Sequence, residues 1–242
     1  MQAWFESLKA TFVLNFVQAN RWQYLWNGLG TTLAITLRAG AIGIVIGVII
    51  AMIRSTYDKT AANSRDTLGR RLFGVADWLC RMYLTVLRGT PVLIQLMIIY
   101  YVIFASSDNG MLVASLAFGL NSGAYVAEIV RGGIMSIDNG QFEAGRSLGF
   151  NYLQTMRFII IPQTIKNVLP SLANEFIALL KETSVAGYVA VQDLTKAGDV
   201  IRSRTYSPFM PLIAVALIYL VLVVFFTKLV SLLERRLRSS DH

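Results

Sequence analysis

Five long apolar segments, separated by polar and charged stretches, dominate the pattern of this chain. A transmembrane helix needs about 20 mostly apolar residues at a rise of about 1.5 Å each, and every one of these segments is long enough. The pattern therefore predicts an all-α membrane protein with five transmembrane helices, at residues 28–53, 84–105, 111–130, 165–191 and 209–233. The second segment is punctuated by Arg88-Gly89-Thr90-Pro91, and the fourth contains Glu175.

Aromatic residues precede the first apolar segment. They are Trp4, Trp22, Tyr24 and Trp26. Tryptophan and tyrosine are enriched where a membrane meets water, so we expect this stretch to lie at the interface. It lacks the basic-then-apolar order of a cleavable signal. The predicted organisation is an N-terminal interfacial segment at 1–27, a transmembrane domain at 28–233 and a tail at 234–242.

Lysine and arginine residues flank the apolar segments unevenly. Six lie between residues 54 and 83, and none lies between 106 and 110. Cytoplasmic loops of membrane proteins carry the excess of these residues. The bias therefore predicts an N-terminus outside the cell and a C-terminus in the cytoplasm, and it assigns residues 139–162 to the cytoplasm.

Composition agrees with a membrane protein and narrows the possible chemistry. Of the 242 residues, 55% are hydrophobic and 15% are charged, against roughly 25% charged in a soluble domain. The net charge of +8 comes from residues that flank apolar segments, so nucleic acid is not an expected partner. A single cysteine and a single histidine leave little material for a metal site or a nucleophile–base pair, so we expect neither a metal site nor a catalytic site.

The polar segment from Asp138 to Pro162 is predicted to form two short helices that meet at a glycine elbow. Gly149 suits the left-handed conformation that often ends a helix. Asn151 suits the cap of the following helix, and we expect Pro162 to interrupt that helix. An ordinary polar loop between two membrane helices is the alternative.

The first half of this elbow combines small and charged residues. Ala144 and Gly145 carry no bulky side chain, so a partner surface can approach closely. Glu143 and Arg146 offer charged anchors on either side of them. These residue types indicate a contact surface for another protein.

The segment Glu143-Ala144-Gly145-Arg146-Ser147-Leu148-Gly149, followed by Ile159-Ile160-Ile161-Pro162, resembles a known signature. It is similar to the coupling-loop motif E-A-A-x3-G-x9-I-x-L-P of bacterial ABC importer permeases. The chain departs from it at Gly145, where the motif has a second alanine, and at Ile161, where it has leucine. Further elements resemble the polar amino acid subfamily of type I importers: they are Arg88–Gln95, Tyr125–Ile134 and Asn174–Ser184.

This resemblance implies a type I ABC importer permease fold in a bacterial cell inner membrane, as a multi-pass protein among membrane lipids. The function implied is a translocation path for a polar amino acid, which an extracytoplasmic amino-acid-binding protein delivers. The implied partners are two ABC ATPase subunits, which bind ATP and Mg, and a second permease subunit, identical or homologous. This chain has no G-x-x-x-x-G-K-[ST] loop and would hold no cofactor of its own. Coupling to the ATPase is expected at Glu143, Ala144, Gly145, Arg146 and Gly149.

Two alternatives stay open at this point. One is a non-transporting membrane scaffold or channel subunit, which would not need a coupling elbow. The other is a permease for an amino-acid-like solute such as an opine. An intramembrane enzyme is disfavoured because histidine and cysteine are so scarce.

Polar groups inside the predicted helices are candidate substrate ligands. A charge at membrane depth costs at least about 2.5–3.5 kcal/mol, so it needs a partner or a wet cavity. Glu175 lies about 15 Å into the fourth predicted helix, near the midplane. We predict that it binds the amino group of a substrate, the alternative being a bond that fixes helix packing. The further candidates for the same path are Asn174, Thr183, Ser184, Gln95 and Asn121, with hydrogen bonding between helices as the alternative.

Glu128 and Arg131 form a separate candidate pair. They are three residues apart and therefore share one face of the third predicted helix. Their position near its cytoplasmic end favours a gate or structural pair over contact with substrate.

Overall fold

The computed structural model describes residues 2–60 and 68–239, so a part of each predicted segment, 1–27, 28–233 and 234–242, lies outside the described residues. Within the described residues the chain forms helices and no strand, which confirms the predicted all-α fold. The helices are α1 (Gln2–Phe12), α2 (Trp22–Thr60), α3 (Leu68–Gly89), α4 (Val92–Ile98), α5 (Gly110–Met135), α6 (Asn139–Ser147), α7 (Tyr152–Thr155), α8 (Ile161–Glu182), α9 (Leu194–Thr205) and α10 (Phe209–Ser239). Three π-helical turns, Val13–Val17, Ile99–Ile103 and Met156–Ile160, and two 3₁₀ segments, Gln18–Asn20 and Thr183–Val189, connect some of them.

Three of the described helices, α2, α5 and α10, are long and apolar enough to cross a membrane. A fourth span results if α3 and the segment Val92–Ile103 are counted together across the sharp break at Thr90-Pro91. α8 covers most of the fourth predicted helix but carries Lys166 and Glu175, and it is not among the three. Five spans therefore stay a prediction.

The chain divides into two compact units. The first unit comprises the described residues of Met1–Ala39, Val92–Phe118 and Ile177–Leu229. The second unit comprises those of Gly40–Pro91, Gly119–Phe176 and Val230–His242.

The core of the first unit forms where α9 meets the beginnings of α2 and α10. Its buried members are Leu25, Leu194, Ala197, Ile201 and Val215. Asp193 caps α9 by accepting hydrogen bonds from the backbone N–H groups of Thr195 and Lys196. Burial raises the pKa of this carboxyl, although those backbone donors act in the opposite direction.

Close helix contacts define the second unit. A Cβ atom on Gly47 of α2 would lie 2.5 Å from Val126 of α5, and one on Gly133 of α5 would lie 2.0 Å from Val168 of α8. Only glycine fits at such distances, so these two positions allow the helices to approach. The buried core beside them consists of Ala51, Val126, Val130, Ile134, Ile137, Met156 and Ile160.

The predicted interruption at Pro162 is wrong. Helical conformation continues from α7 through the π turn Met156–Ile160 into α8, in which Pro162 is the second residue. A proline lacks an N–H and clashes with the carbonyl four residues back in an α-helix. The preceding π turn pairs Ile161 N–H with the carbonyl of Met156, five residues back, and this wider turn leads into the proline without ending the helix.

Candidate functional site

The glycine elbow between α6 and α7 has the local structure that its sequence predicts. Asp138 caps α6 by accepting a hydrogen bond from the N–H of Gly140 at 2.5 Å. Gly149 adopts a positive φ of 79°, and the N–H of Phe150 donates to the carbonyl of Gly145 at 3.0 Å. This is a glycine-terminated helix end, in which a left-handed residue turns the chain so that late carbonyls of the helix find donors.

Asn151 begins the second arm of the elbow. Its side chain accepts from the N–H of Gln154, and the Gln154 side chain accepts from the N–H of Asn151, both at 2.9 Å. This reciprocal capping box satisfies two N–H groups that would otherwise lack partners at the helix start. The two arms, residues 138–155, are called the elbow below.

The outer surface of the elbow is available to a partner. Glu143, Ala144, Arg146 and Gly149 are exposed, whereas Gly145 is buried. Two leucines also face outward: Leu148 is 71% exposed and Leu153 is 75% exposed. Apolar side chains beside charged anchors are typical of a surface that another protein covers.

Contacts with α2 hold the elbow against the rest of the second unit. Lys59 Nζ donates to Asn139 Oδ1 at 2.7 Å and lies 4.6 Å from the centre of the Phe142 ring. The hydroxyl of Tyr152 donates to Thr56 Oγ1 at 3.4 Å, and burial raises the pKa of this tyrosine. A force on the elbow would therefore reach the end of α2.

A closed ring of six alternating charges links α2, α3 and α5. In order it contains Arg54, Glu128, Arg131, Asp58, Arg81 and Asp77, called the charge ring below. The successive N–O distances, starting with Arg54–Glu128 and returning to Arg54, are 2.7, 3.5, 3.4, 3.4, 2.6 and 3.7 Å. The ring brings the predicted pair Glu128 and Arg131 together and adds four residues that sequence analysis missed.

A sequence signal for those four residues exists. Arg54 and Asp58 are four residues apart on α2, and Asp77 and Arg81 are four apart on α3. Oppositely charged residues at this spacing share one helix face. These two pairs, together with Glu128 and Arg131 three residues apart on α5, indicate a common ionic cluster, although spacing alone does not tell which helices meet.

Three of the six predicted substrate ligands belong to the second unit. Glu175 Oε1 accepts from Ser122 Oγ at 2.8 Å, and Asn121 Nδ2 donates to the carbonyl of Leu87 at 3.3 Å. Glu175 and Asn121 are thus associated with adjacent positions of α5. Asn174 is exposed, and its side chain donates back to the carbonyl of Pro170.

The other three predicted ligands belong to the first unit. Gln95 and Thr183 are buried, and Thr183 donates to the carbonyl of Leu180 at 2.7 Å. Ser184 lines a cavity of about 520 Å³, whose charged lining residues are Lys196, Asp199 and Arg202. Asp199 pairs with Arg202 at 2.5 Å and with Lys196 at 3.1 Å, and these bonds, Arg202 first, lower its pKa.

Across residues 2–60 and 68–239, no three His, Cys, Asp or Glu side chains are grouped so that they could hold a metal ion.

Comparison with known proteins gives consistent matches along most of the chain. Residues 43–239 match the family described as binding-protein-dependent transport system inner membrane component. The putative glutamine transport system permease protein GlnP of Rickettsia bellii is 36% identical over 217 residues, which cover 88% of this chain and 93% of that protein. The arginine transport system permease protein ArtQ of Bacillus subtilis is 33% identical over 221 residues, covering 90% and 94% respectively.

Solved structures of ABC transporters also match most of this chain. A chain in the crystal structure of an amino acid ABC transporter with histidines is 39% identical, with a TM-score of 0.78 over 91% of this chain and 97% of that chain. A chain of the MetNI methionine ABC transporter, in an inward-facing conformation, has a TM-score of 0.69 over 89% of this chain and 96% of that chain. At 19% identity this second likeness concerns the fold alone.

Proposed function

Because the chain belongs to the family of binding-protein-dependent transport system inner membrane components, we propose that it is the permease subunit of an ATP-driven amino acid importer. The observation that carries this proposal is the elbow, which presents Glu143, Ala144, Arg146 and Leu148 on an exposed surface. A polar amino acid is the proposed cargo, since the relatives with 33–39% identity are named for glutamine, arginine and amino acid transport.

The elbow is the proposed contact for the ATPase subunits. ATP and Mg would be bound by those subunits, two in each complex, and this chain would supply no catalytic group. Movement of an ATPase against the elbow would pass to α2 through Lys59 and Tyr152, and to α5 and α8 through the shared core. Alternating access would follow when these helices shift together.

The cargo would reach the membrane path from outside the cell. An extracytoplasmic binding protein would deliver the amino acid, and a second permease subunit, identical or homologous, would complete the path. Glu175 would bind the amino group of the cargo, because it is a partly exposed carboxylate held by Ser122. The elbow would face the cytoplasm of a bacterial cell, with the N-terminus outside the inner membrane.

Substitution at Gly149 tests the coupling role most sharply. A Cβ atom there meets no neighbour of this chain within 4 Å, so the positive φ and not a clash within the chain is what a substitution would disturb. Gly149→Val should abolish ATP-driven uptake in proteoliposomes, because a β-branched residue disfavours that conformation. Gly149→Asn is the matched control and should retain uptake, because asparagine tolerates the left-handed region.

Glu143→Ala tests the charged anchor in the same assay, with Glu6→Ala as an exposed glutamate in α1 for comparison. We expect Glu143→Ala to abolish uptake while membrane insertion and assembly persist, and Glu6→Ala to transport normally. Full uptake by both Gly149→Val and Glu143→Ala would show that the elbow is not the coupling element.

A further inference from the structure

A free amino acid carries an ammonium and a carboxylate, so a site that recognises both needs an anion and a cation at a short separation. The proposed function supplies the anion, Glu175. The cation would have to approach the same part of α5, where Ser122 holds the Glu175 carboxylate. The end of α3 meets this requirement, because the carbonyl of Leu87 accepts a hydrogen bond from Asn121, the neighbour of Ser122.

Arg88, the residue after Leu87, directs its guanidinium toward the same helix. Its Cζ atom lies 5.6 Å from the centre of the Tyr125 ring. Tyr125 follows Ser122 by three residues, so the two share a face of α5 and differ by about 4.5 Å along its axis. The Glu175 carboxylate and the Arg88 guanidinium therefore contact positions one helical turn apart.

Arg88 is also less engaged than the other arginines around it. Its ion pair with Glu128 is long, 3.9 Å, and its side chain is 45% exposed. Glu128 is held closely by Arg54 at 2.7 Å, and that arginine is only 10% exposed. Arg88 can therefore turn to a new anion without leaving a buried carboxylate unpaired.

The space beside Arg88 is suited to an anion. A cavity of about 360 Å³ is lined by three arginines, one glutamate, one threonine and one leucine, namely Arg54, Arg81, Arg88, Glu128, Thr85 and Leu84. This lining holds three guanidinium groups and one carboxylate, while Asp77 and Asp58 pair with Arg54 and Arg81 from outside it. Arg54 and Arg81 already serve the charge ring, which leaves Arg88 as the group that a carboxylate would engage.

We propose that Arg88 binds the α-carboxylate of the transported amino acid while Glu175 binds its α-amino group. This inference rests on the proposed function, in which Glu175 contacts the cargo. It assigns to Arg88 the discrimination between an amino acid and an analogue that lacks the carboxylate charge. Guanidinium pairs with carboxylate through two parallel hydrogen bonds, a geometry that lysine does not reproduce.

Direct binding to the permease–ATPase complex in nanodiscs, without any binding protein, tests this assignment. The probes are tritiated L-glutamine, L-arginine and L-histidine, each compared with its α-carboxamide. The wild-type complex should bind at least one of these amino acids more tightly than its amide. Arg88→Gln should weaken binding of that amino acid by about tenfold or more, the scale of a charged hydrogen bond, and leave the amide unchanged. Arg88→Lys should bind that amino acid more weakly than the wild type does and more tightly than Arg88→Gln does.

A matched control is available in the first unit. Arg204 also lies over a tyrosine, 5.1 Å from the ring centre of Tyr24, so Arg204→Gln removes an arginine from a similar setting. We expect Arg204→Gln to bind both probes as the wild type does. Equal melting temperatures for the Arg88→Gln and wild-type complexes would exclude a loss of binding through unfolding.

The outcomes separate this inference from the proposed function. Glu175→Gln should weaken the amino acid and the amide alike, because both carry the amino group. If Glu175→Gln does so while Arg88→Gln leaves the amino acid unaffected, or weakens acid and amide equally, the inference fails and the substrate role of Glu175 stands. If neither variant changes binding, or the wild type binds no amino acid, both assignments fail.

Discussion

Position 145 of the elbow has no room for even the Cβ atom of an alanine, so it requires glycine. A Cβ atom at this position would lie 2.7 Å from both Cγ2 and Oγ1 of Thr155. Those atoms belong to a buried side chain whose hydroxyl donates to the carbonyl of Asn151 at 3.0 Å, so they are not free to move away. The departure from the importer signature, glycine in place of alanine, is thus matched to the threonine that packs against it.

We predict that Gly145→Ala destabilises the protein and that removing the threonine side chain partly reverses the effect. Overpacking of this kind costs about 1–3 kcal/mol, and a chain of this length loses about 2–4 °C of melting temperature per kcal/mol. The double variant Gly145→Ala/Thr155→Ala should have a melting temperature closer to that of Thr155→Ala alone than the sum of the two single-variant shifts predicts. Gly132→Ala is the control, since a Cβ atom there meets nothing within 4 Å. Additive melting shifts would contradict the steric explanation.

Local chemistry of this kind was only partly predictable from the sequence. Gly149 and Asn151 were predicted correctly, because a left-handed helix end and an N-cap are decided by neighbours along the chain. The burial of Gly145 was not predicted, because its partner Thr155 comes from the other arm of the elbow. The sequence indicated a small residue that lets a partner protein approach, whereas its Cα faces the chain's own second arm.

At the scale of elements, the charge ring explains how the ends of α2 and α5 are held to the middle of α3. Its members come from α2, α3 and α5, and each has opposite charges on both sides. Burying an ion pair is costly, and much of its effect appears when one partner is removed and the other is left desolvated. Arg54 is the most buried of the arginines in the ring, with a side chain that is 10% exposed, so it is the arginine most sensitive to the loss of a partner.

We expect Glu128→Gln to lower the stability of the complex by about 1–3 kcal/mol, because it leaves the mostly buried Arg54 guanidinium without its short hydrogen bond. Adding Arg54→Met should recover part of this loss, because the buried Arg54 guanidinium would otherwise keep only its long pair with Asp77, at 3.7 Å. Asp199→Asn breaks an exposed pair of similar length in the first unit and should cost less than about 1 kcal/mol. Thermal unfolding of the purified complexes measures all three, and equal losses from Glu128→Gln and Asp199→Asn would rule out burial as the cause.

Helix ends were the weakest part of the prediction at this scale. The predicted spans 28–53 and 111–130 lie within α2 and α5, but both helices continue past the apolar residues, to Thr60 and Met135. Hydropathy measures how favourably side chains transfer from water into a bilayer. A span predicted from hydropathy therefore ends where charged residues begin. A helix continues for as long as its backbone and side chains find partners, and the ring supplies them to Arg54, Asp58 and Arg131.

For the whole molecule, the sequence predicted the helical class and the family because both leave one-dimensional signals. Bilayer thickness imposes segments of about 20 apolar residues, and the coupling signature keeps its spacing along the chain. The charge ring and the approach of Arg88 to Tyr125 leave no such signal, because they depend on which helices become neighbours. The number and direction of the spans depend on the membrane itself, so they call for a measurement in vesicles.

The orientation can be tested with single cysteines, because Cys80 is the only cysteine of the chain. Ser147 in the elbow and Ser203 in α9 are well matched: both are exposed, and each hydroxyl donates to the carbonyl four residues before it. In a Cys80→Ser background, Ser147→Cys should react with a membrane-impermeant maleimide in inverted vesicles and Ser203→Cys in right-side-out vesicles. Opposite labelling follows from the predicted excess of positive residues on the cytoplasmic side.

Co-expression of the ATPase allows the same labelling experiment to test whether the ATPase covers the elbow. If the ATPase covers the elbow, its presence should slow labelling of Ser147→Cys in inverted vesicles and leave the rate at Ser203→Cys unchanged. An ATPase acts where ATP is, so the elbow can couple only from the cytoplasmic side. Labelling of Ser147→Cys in right-side-out vesicles would therefore contradict both the orientation and the coupling role, whatever the family resemblance implies.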